Sequence, residues 1–129
     1  MVKKSQPLRV LVVDDEALIR WSLAETLGKS GHRVSEASDG ETAVRALTDG
    51  GEPFNVVLLD YRLPDSNDLK LLSTIRRLAP KAAVIMMTAY GTAEVTQGAL
   101  ELGAYRVVPK PFEMQDMAEL VTQAHVRFK

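Results

Sequence analysis

The sequence predicts an α/β fold, an open parallel sheet covered by helices on both faces, from two observations. Five short apolar runs of strand type alternate with five helical patterns, and no repeat, low-complexity segment or long linker interrupts them. The run Val56-Val57-Leu58-Leu59 is too short for a helix and shows no polar alternation, as expected of a strand buried on both sides. With 129 residues the chain is a single domain that can bury roughly two thirds of its unfolded surface. Residues 8–128 are expected as its ordered core and 1–7 as a flexible N-terminal tail.

Arg9 to Val13 forms the first strand, and a helix follows from Ala17 to Ser30 with Leu18, Trp21, Leu23 or Ser22, and Leu27 near helical spacing until Gly31 stops it. Trp21 reads as a core residue rather than a partner-binding one. Arg33 to Ala37 is the second strand. Asp39 begins a second helix with Ala43, Val44 and Leu47 on one face, closed by Gly50-Gly51. The third strand is Val56 to Asp60, and the third helix runs from Asp68 to Leu78, ended by Pro80. Residues 82–88, AAVIMMT, make the fourth strand. Thr92 caps a fourth helix that reaches Gly103, Arg106 to Val108 is a brief fifth strand, and Glu113 to Phe128 is the last helix.

Composition removes several classes of function. Cysteine is absent and histidines number two, so neither a disulfide framework nor a zinc site is expected. Sixteen basic residues stand against seventeen acidic ones without a long Lys/Arg run, which supplies no footprint for direct nucleic-acid binding. The apolar run before Asp14 is too short for a signal sequence or a membrane span, so the expectation is a cytoplasmic protein with no membrane partner.

The informative pattern lies at the strand ends. Asp14 and Asp15 follow the first strand, Asp60 ends the third, Thr88 the fourth, and Lys110 follows the fifth. In open α/β sheets ligands bind outside the carboxyl ends of the strands, so these groups share the rim where chemistry is expected. Singly, each has a structural explanation: an N-cap for the aspartates, a β-branched strand residue for Thr88, a solvated turn residue for Lys110. Three carboxylates within roughly 5 Å of one another would repel by about 3 kcal/mol per pair at an effective dielectric near 20. A divalent cation with oxygen ligands, Mg²⁺, relieves this and leaves waters for a phosphate to replace. A carboxylate beside such a cation can attack a phosphoryl group, and Asp60 is the central one. Lys110 would meet the phosphoryl oxygens with an ammonium and Thr88 with a hydroxyl.

The motifs VLVVDDE, VVLLDYRLP, MMTAYG and VVPKPF, in this order and spacing, resemble the receiver domain of two-component response regulators over nearly the whole chain. The resemblance implies a flavodoxin-like, doubly wound (βα)5 fold with a five-stranded parallel sheet in the order 2-1-3-4-5. It further implies phosphorylation of Asp60 by a sensor histidine kinase and Mg²⁺ bound by Asp15, Asp60 and the backbone carbonyl of Arg62, with help from Asp14. Lys110-Pro111 would be a cis peptide. Such a domain is a signalling switch rather than a conventional enzyme, although it catalyses its own phosphoryl transfer and slow dephosphorylation. The stretches IRWSL, MMTAYG and GAYRVVPKPF are most similar to receivers of NtrC-like, sigma-54-dependent transcription activators. A free-standing domain and a part of a longer activator both remain open.

Two positions depart from the family pattern. The family usually carries Tyr or Phe three residues before the lysine, as the switch aromatic that follows the threonine; here Val107 stands there. Tyr105, two residues earlier, is either a rim aromatic or a substitute for it. The second departure is LPDSND, where Asn67-Asp68 replaces a usual Asp-Gly; both residues tolerate the left-handed conformation better than most. Arg62 and Tyr90, each two residues beyond a site residue, are large enough to hinder an attacking water and so to slow dephosphorylation, unless both point into solvent. Switching a 1:99 population to its reverse takes about 5.5 kcal/mol. The face made by the fourth helix, fifth strand and fifth helix is expected to carry that change to an output domain or a homodimer partner.

Rival readings fit less well. A phosphatase with an aspartyl-phosphate intermediate would carry a second carboxylate where Arg62 stands, and a dinucleotide module would replace VVDDEA with a glycine-rich turn. A receiver-like interaction domain that signals without phosphate would lack one of the five rim residues, and none is missing.

Overall fold

The computed structural model describes residues 7–66, 68–89 and 91–128. Tyr90, Asn67 and most of the expected N-terminal tail lie outside them. The elements alternate as β1 (Arg9–Val13), α1 (Ala17–Lys29), β2 (Arg33–Ala37), α2 (Gly40–Thr48), β3 (Val56–Asp60), α3 (Lys70–Leu78), β4 (Ala83–Thr88), α4 (Ala93–Glu101), β5 (Arg106–Pro109) and α5 (Met114–Arg127). The strands form one parallel sheet in the order β2-β1-β3-β4-β5.

The period of two along each strand divides the core into two layers. Leu11, Val13, Val57, Leu59, Val84 and Met86 face α2, α3 and α4, meeting Ala43, Leu72, Ile75 and Ala99. Val10, Val12, Val56, Leu58, Ile85 and Met87 face α1 and α5, meeting Leu23, Leu27, Met117, Val121 and Ala124. All five β3 residues are buried, Asp60 included. The entry to β1 is tied by side chains: Nδ1 of buried His32 accepts from the Leu8 N–H at 3.0 Å, and Asn55 Oδ1 accepts from the Arg9 N–H at 2.8 Å. Burial lowers the His32 pKa, in keeping with a ring nitrogen that serves as an acceptor.

Two details differ from the expectation, and a third, the side to which Tyr105 packs, was left open by it. Trp21 is 60% exposed and Leu18 73% exposed, so neither belongs to the core. Helix α1 carries two apolar stripes, and the i, i+4, i+8 series Ile19-Leu23-Leu27 is the one turned to the sheet. Trp21 lies about 200° around the helix from Leu23, which puts it in solvent. Helix α3 begins at Lys70 rather than Asp68, because the Asp68 carboxylate accepts from the Lys70 N–H at 2.9 Å and closes a turn ahead of the helix. Tyr105 packs with the α1/α5 layer while Val107 packs with the other; Tyr105 precedes the first β5 residue, so the strand's alternation does not fix its direction.

Gly103 ends the α4 segment at φ +101, and a β-carbon there would lie 2.9 Å from Arg76 Nε. The Arg76 guanidinium is held by the Ala82 carbonyl at 2.8 Å and stacks on Phe128, so it has little room to yield. Gly103→Ala is therefore expected to cost about 1–3 kcal/mol, read as a lower urea midpoint. An unchanged midpoint would show that this turn is not the constraint it is taken to be.

Candidate functional site

The ladders of the sheet run one residue past the strands and so fix the rim. The Asp14 N–H donates to the Ala37 carbonyl at 3.0 Å, the Tyr61 N–H to Met87 at 2.9 Å and the Lys110 N–H to Thr88 at 2.8 Å. The backbones flanking Asp14, Asp60 and Lys110 are thus set by the sheet rather than by flexible loops. The Lys110–Pro111 peptide is cis.

The rim surrounds a cleft of about 260 Å³ lined by Asp15, Glu16, Asp60, Arg62, Thr88 and Lys110. Asp14 lies beneath it, fully buried, while Asp60 and Thr88 are nearly so and Asp15 is exposed. One carboxylate oxygen from each of Asp14, Asp15 and Asp60 falls within 4.8 Å of the others. The Lys110 ammonium reaches Asp14 Oδ2 at 2.8 Å, Asp60 Oδ2 at 3.3 Å and Glu16 Oε1 at 3.4 Å. The second Asp14 oxygen accepts from the Glu16 N–H at 2.9 Å, and Arg20 donates to the Asp14 carbonyl at 2.7 Å. Asp14 is thereby immobilised through both its side chain and its backbone.

Charge in this cleft is unbalanced. Burial and, next, the Asp14 charge push the Asp60 carboxyl up to about 6, against the smaller opposing effect of Lys110. Burial disfavours the Lys110 ammonium, but the hydrogen bonds and charges of Asp14 and Asp60 together outweigh it and raise its pKa. An all-oxygen cluster with surplus negative charge is the donor set of a hard divalent cation.

The residues singled out at strand ends therefore meet in one place. Tyr105 and Val107 do not line the cleft, and Tyr90 lies outside the described residues. Glu16 was missed as a cleft residue; its only sequence signal is that it completes the acidic run Asp14-Asp15-Glu16. Arg20 was missed because its partner, the Asp14 carbonyl, is a backbone group.

The raised Asp60 pKa has a stability consequence. Below about pH 4 the group is protonated in folded and unfolded chains alike. Between there and about pH 6 only the folded chain keeps the proton, so stability falls as pH rises through this window and stays lower above it. Metal-free Asp60→Asn is expected to be more stable than the parent by about 1–3 kcal/mol at neutral pH, with the gap closing toward about pH 4. Urea denaturation at both pH values measures this; a less stable variant at neutral pH would contradict it.

Comparison with known proteins agrees with this geometry. Residues 10–122 match the response regulator receiver domain family. The chain is 32% identical over 115 residues to the DNA-binding transcriptional regulator NtrC of Azospirillum brasilense, covering 89% of this chain and 24% of that protein. It is 37% identical over 116 residues to the response regulator protein PilR of Pseudomonas aeruginosa, covering 90% of this chain and 26% of that one. The chain thus spans about a quarter of the length of these relatives. Among solved structures, a CheY-like response regulator receiver domain protein from Methanospirillum hungatei JF-1 superposes with a TM-score of 0.87 at 29% identity, covering 94% of this chain and 95% of that one. With the strand order, the rim carboxylates and the family match in agreement, the chain belongs to the response regulator receiver domains, the phosphorylation-dependent switches of two-component signalling.

Proposed function

We propose that Asp60 accepts a phosphoryl group from the phosphohistidine of a sensor histidine kinase, and that the altered domain controls an output domain or partner in transcription regulation. The observation that carries this reading is the meeting of three carboxylate oxygens within 4.8 Å, one of them on Asp60, with the Lys110 ammonium 3.3 Å from Asp60 Oδ2. In the transfer, an Asp60 carboxylate oxygen attacks phosphorus. The new O–P bond forms as the P–N bond to the donor imidazole breaks; the electron pair leaves on that nitrogen.

Receiver domains bind Mg²⁺ through acidic residues, and here Asp14, Asp15, Asp60 and the Arg62 backbone carbonyl would hold it. Bound there, Mg²⁺ supplies positive charge against the carboxylates and the phosphoryl oxygens. Lys110 is placed to move its ammonium from Asp60 to a phosphoryl oxygen while keeping Asp14 as its anchor. The nearly buried Thr88 hydroxyl, on the cleft wall, donates to another. Arg62 lines the cleft, where it hinders an attacking water and slows dephosphorylation.

The switch runs through Thr88 and the face made by α4, β5 and α5. Val107 takes the place of the usual aromatic, and Tyr105 packs in the α1/α5 layer. Exposed Leu18 and Trp21 lie in the first turns of α1, directly after Asp15 and Glu16, and would meet a protein donor that seats its phosphohistidine over Asp60. No helix among the described residues is long and apolar enough to cross a membrane.

Incubation with acetyl phosphate and Mg²⁺ followed by intact-mass measurement tests the reading. One phosphoryl group, about 80 Da, is expected, dependent on Mg²⁺ and absent in Asp60→Asn. No gain by the folded parent, or an equal gain by the variant, would overturn Asp60 as acceptor.

A further inference from the structure

Helix α2 begins with an unusual pair of caps. The first backbone N–H groups of a helix have no partner within it and require one from outside. Asp39, the local N-cap, accepts from the Thr42 N–H at 2.8 Å. The Gly40 and Glu41 N–H groups instead donate to the two carboxylate oxygens of Asp65, at 2.8 and 3.0 Å, from 25 and 24 residues along the chain. Gly40 makes this approach possible, since a β-carbon there would lie 3.1 Å from Asp65 Oδ1 and 3.2 Å from Leu71 Cδ2.

Asp65 belongs to the segment that leaves Asp60 and passes through Arg62. That segment is held at three places. Its start is tied to β4 by the Tyr61 N–H. Its middle is a closed turn in which Leu63 and Ser66 exchange backbone hydrogen bonds at 2.7 and 3.2 Å, with the Leu63 side chain buried. Its far side is fixed by the Asp65 carboxylate, a negative group at the positive end of α2. The Asp65 contact adds a tie that the local bonds do not make, joining the turn to a helix docked on the sheet.

We propose that Asp65 is a positioning residue for the cation site: by capping α2 from the β3–α3 segment, it fixes the backbone at Arg62 relative to Asp60. This rests on the reading of the cleft as a Mg²⁺ site with the Arg62 carbonyl as a ligand. Asp65 acts through the backbone it anchors, as an outer-shell group does for a ligand it orients.

Calorimetric titration of Mg²⁺ into the unphosphorylated chain tests it, beside urea stability of each variant. Asp65→Ala is expected to weaken Mg²⁺ binding by about 3- to 10-fold, below the range typical of groups that touch a ligand directly. Asp65→Asn, which keeps a side-chain acceptor but loses the charge, is expected to recover most of that affinity. Asp39→Ala removes the other cap of the same helix without touching the segment; it is expected to lower stability and leave affinity within about twofold. Equal affinities for the parent and Asp65→Ala, an equal loss in Asp39→Ala, or an Asp65→Asn variant as weak as Asp65→Ala would overturn the inference. Failure of the parent itself to bind Mg²⁺ would overturn the site reading beneath it.

Discussion

Asp14, Asp15 and Asp60 bring three carboxylate oxygens within 4.8 Å, and the ammonium of Lys110, shared with Glu16, reaches Asp14 and Asp60. The cluster is costly to assemble, since at this separation like charges repel by about 3 kcal/mol per pair even at a dielectric near 20. Its persistence depends on the fold: Asp14 and the backbone beside Asp60 are extensions of central strands, and every residue of β3 is buried. The sheet holds together what electrostatics would separate. A cleft poised in this way gains when positive charge enters.

The same rigidity explains how a change at Asp60 could leave the cleft. Thr88 and Lys110 end or follow adjacent strands, joined by the Lys110 N–H to Thr88 carbonyl bond at 2.8 Å. A shift of the Thr88 side chain therefore occurs beside β5, and α4 is the helix least anchored to the core, with Ala99 its one buried residue. Val107, standing where the family pattern has an aromatic, puts a smaller side chain at that junction.

The strand-end carboxylates were legible in the sequence because apolar runs covered on both faces locate their own ends, and the parallel order then brings those ends to one rim. What stayed hidden depended on distance along the chain or on competing patterns. Lys110 and Asp14 were placed on the same rim, but their direct ion pair, across 96 residues of chain, was not read from it. Asp65 looks like an ordinary turn residue until α2 is placed beside it. Trp21 was misread because α1 carries two apolar stripes; periodicity alone does not say which one meets the sheet. The side to which Tyr105 packs stayed open because the pleat that would orient it begins one residue later.

The most direct measurement of the carboxylate constraint is the titration of the Asp60 side-chain carboxyl by carbon NMR in the metal-free chain, assigned by its loss in Asp60→Asn, and repeated with Mg²⁺. The carboxyl is expected to titrate near pH 6 without the cation and clearly lower with it. A midpoint at or below the ordinary 3.8 without metal, unmoved by Mg²⁺, would contradict the charge imbalance on which the proposed phosphoryl chemistry rests.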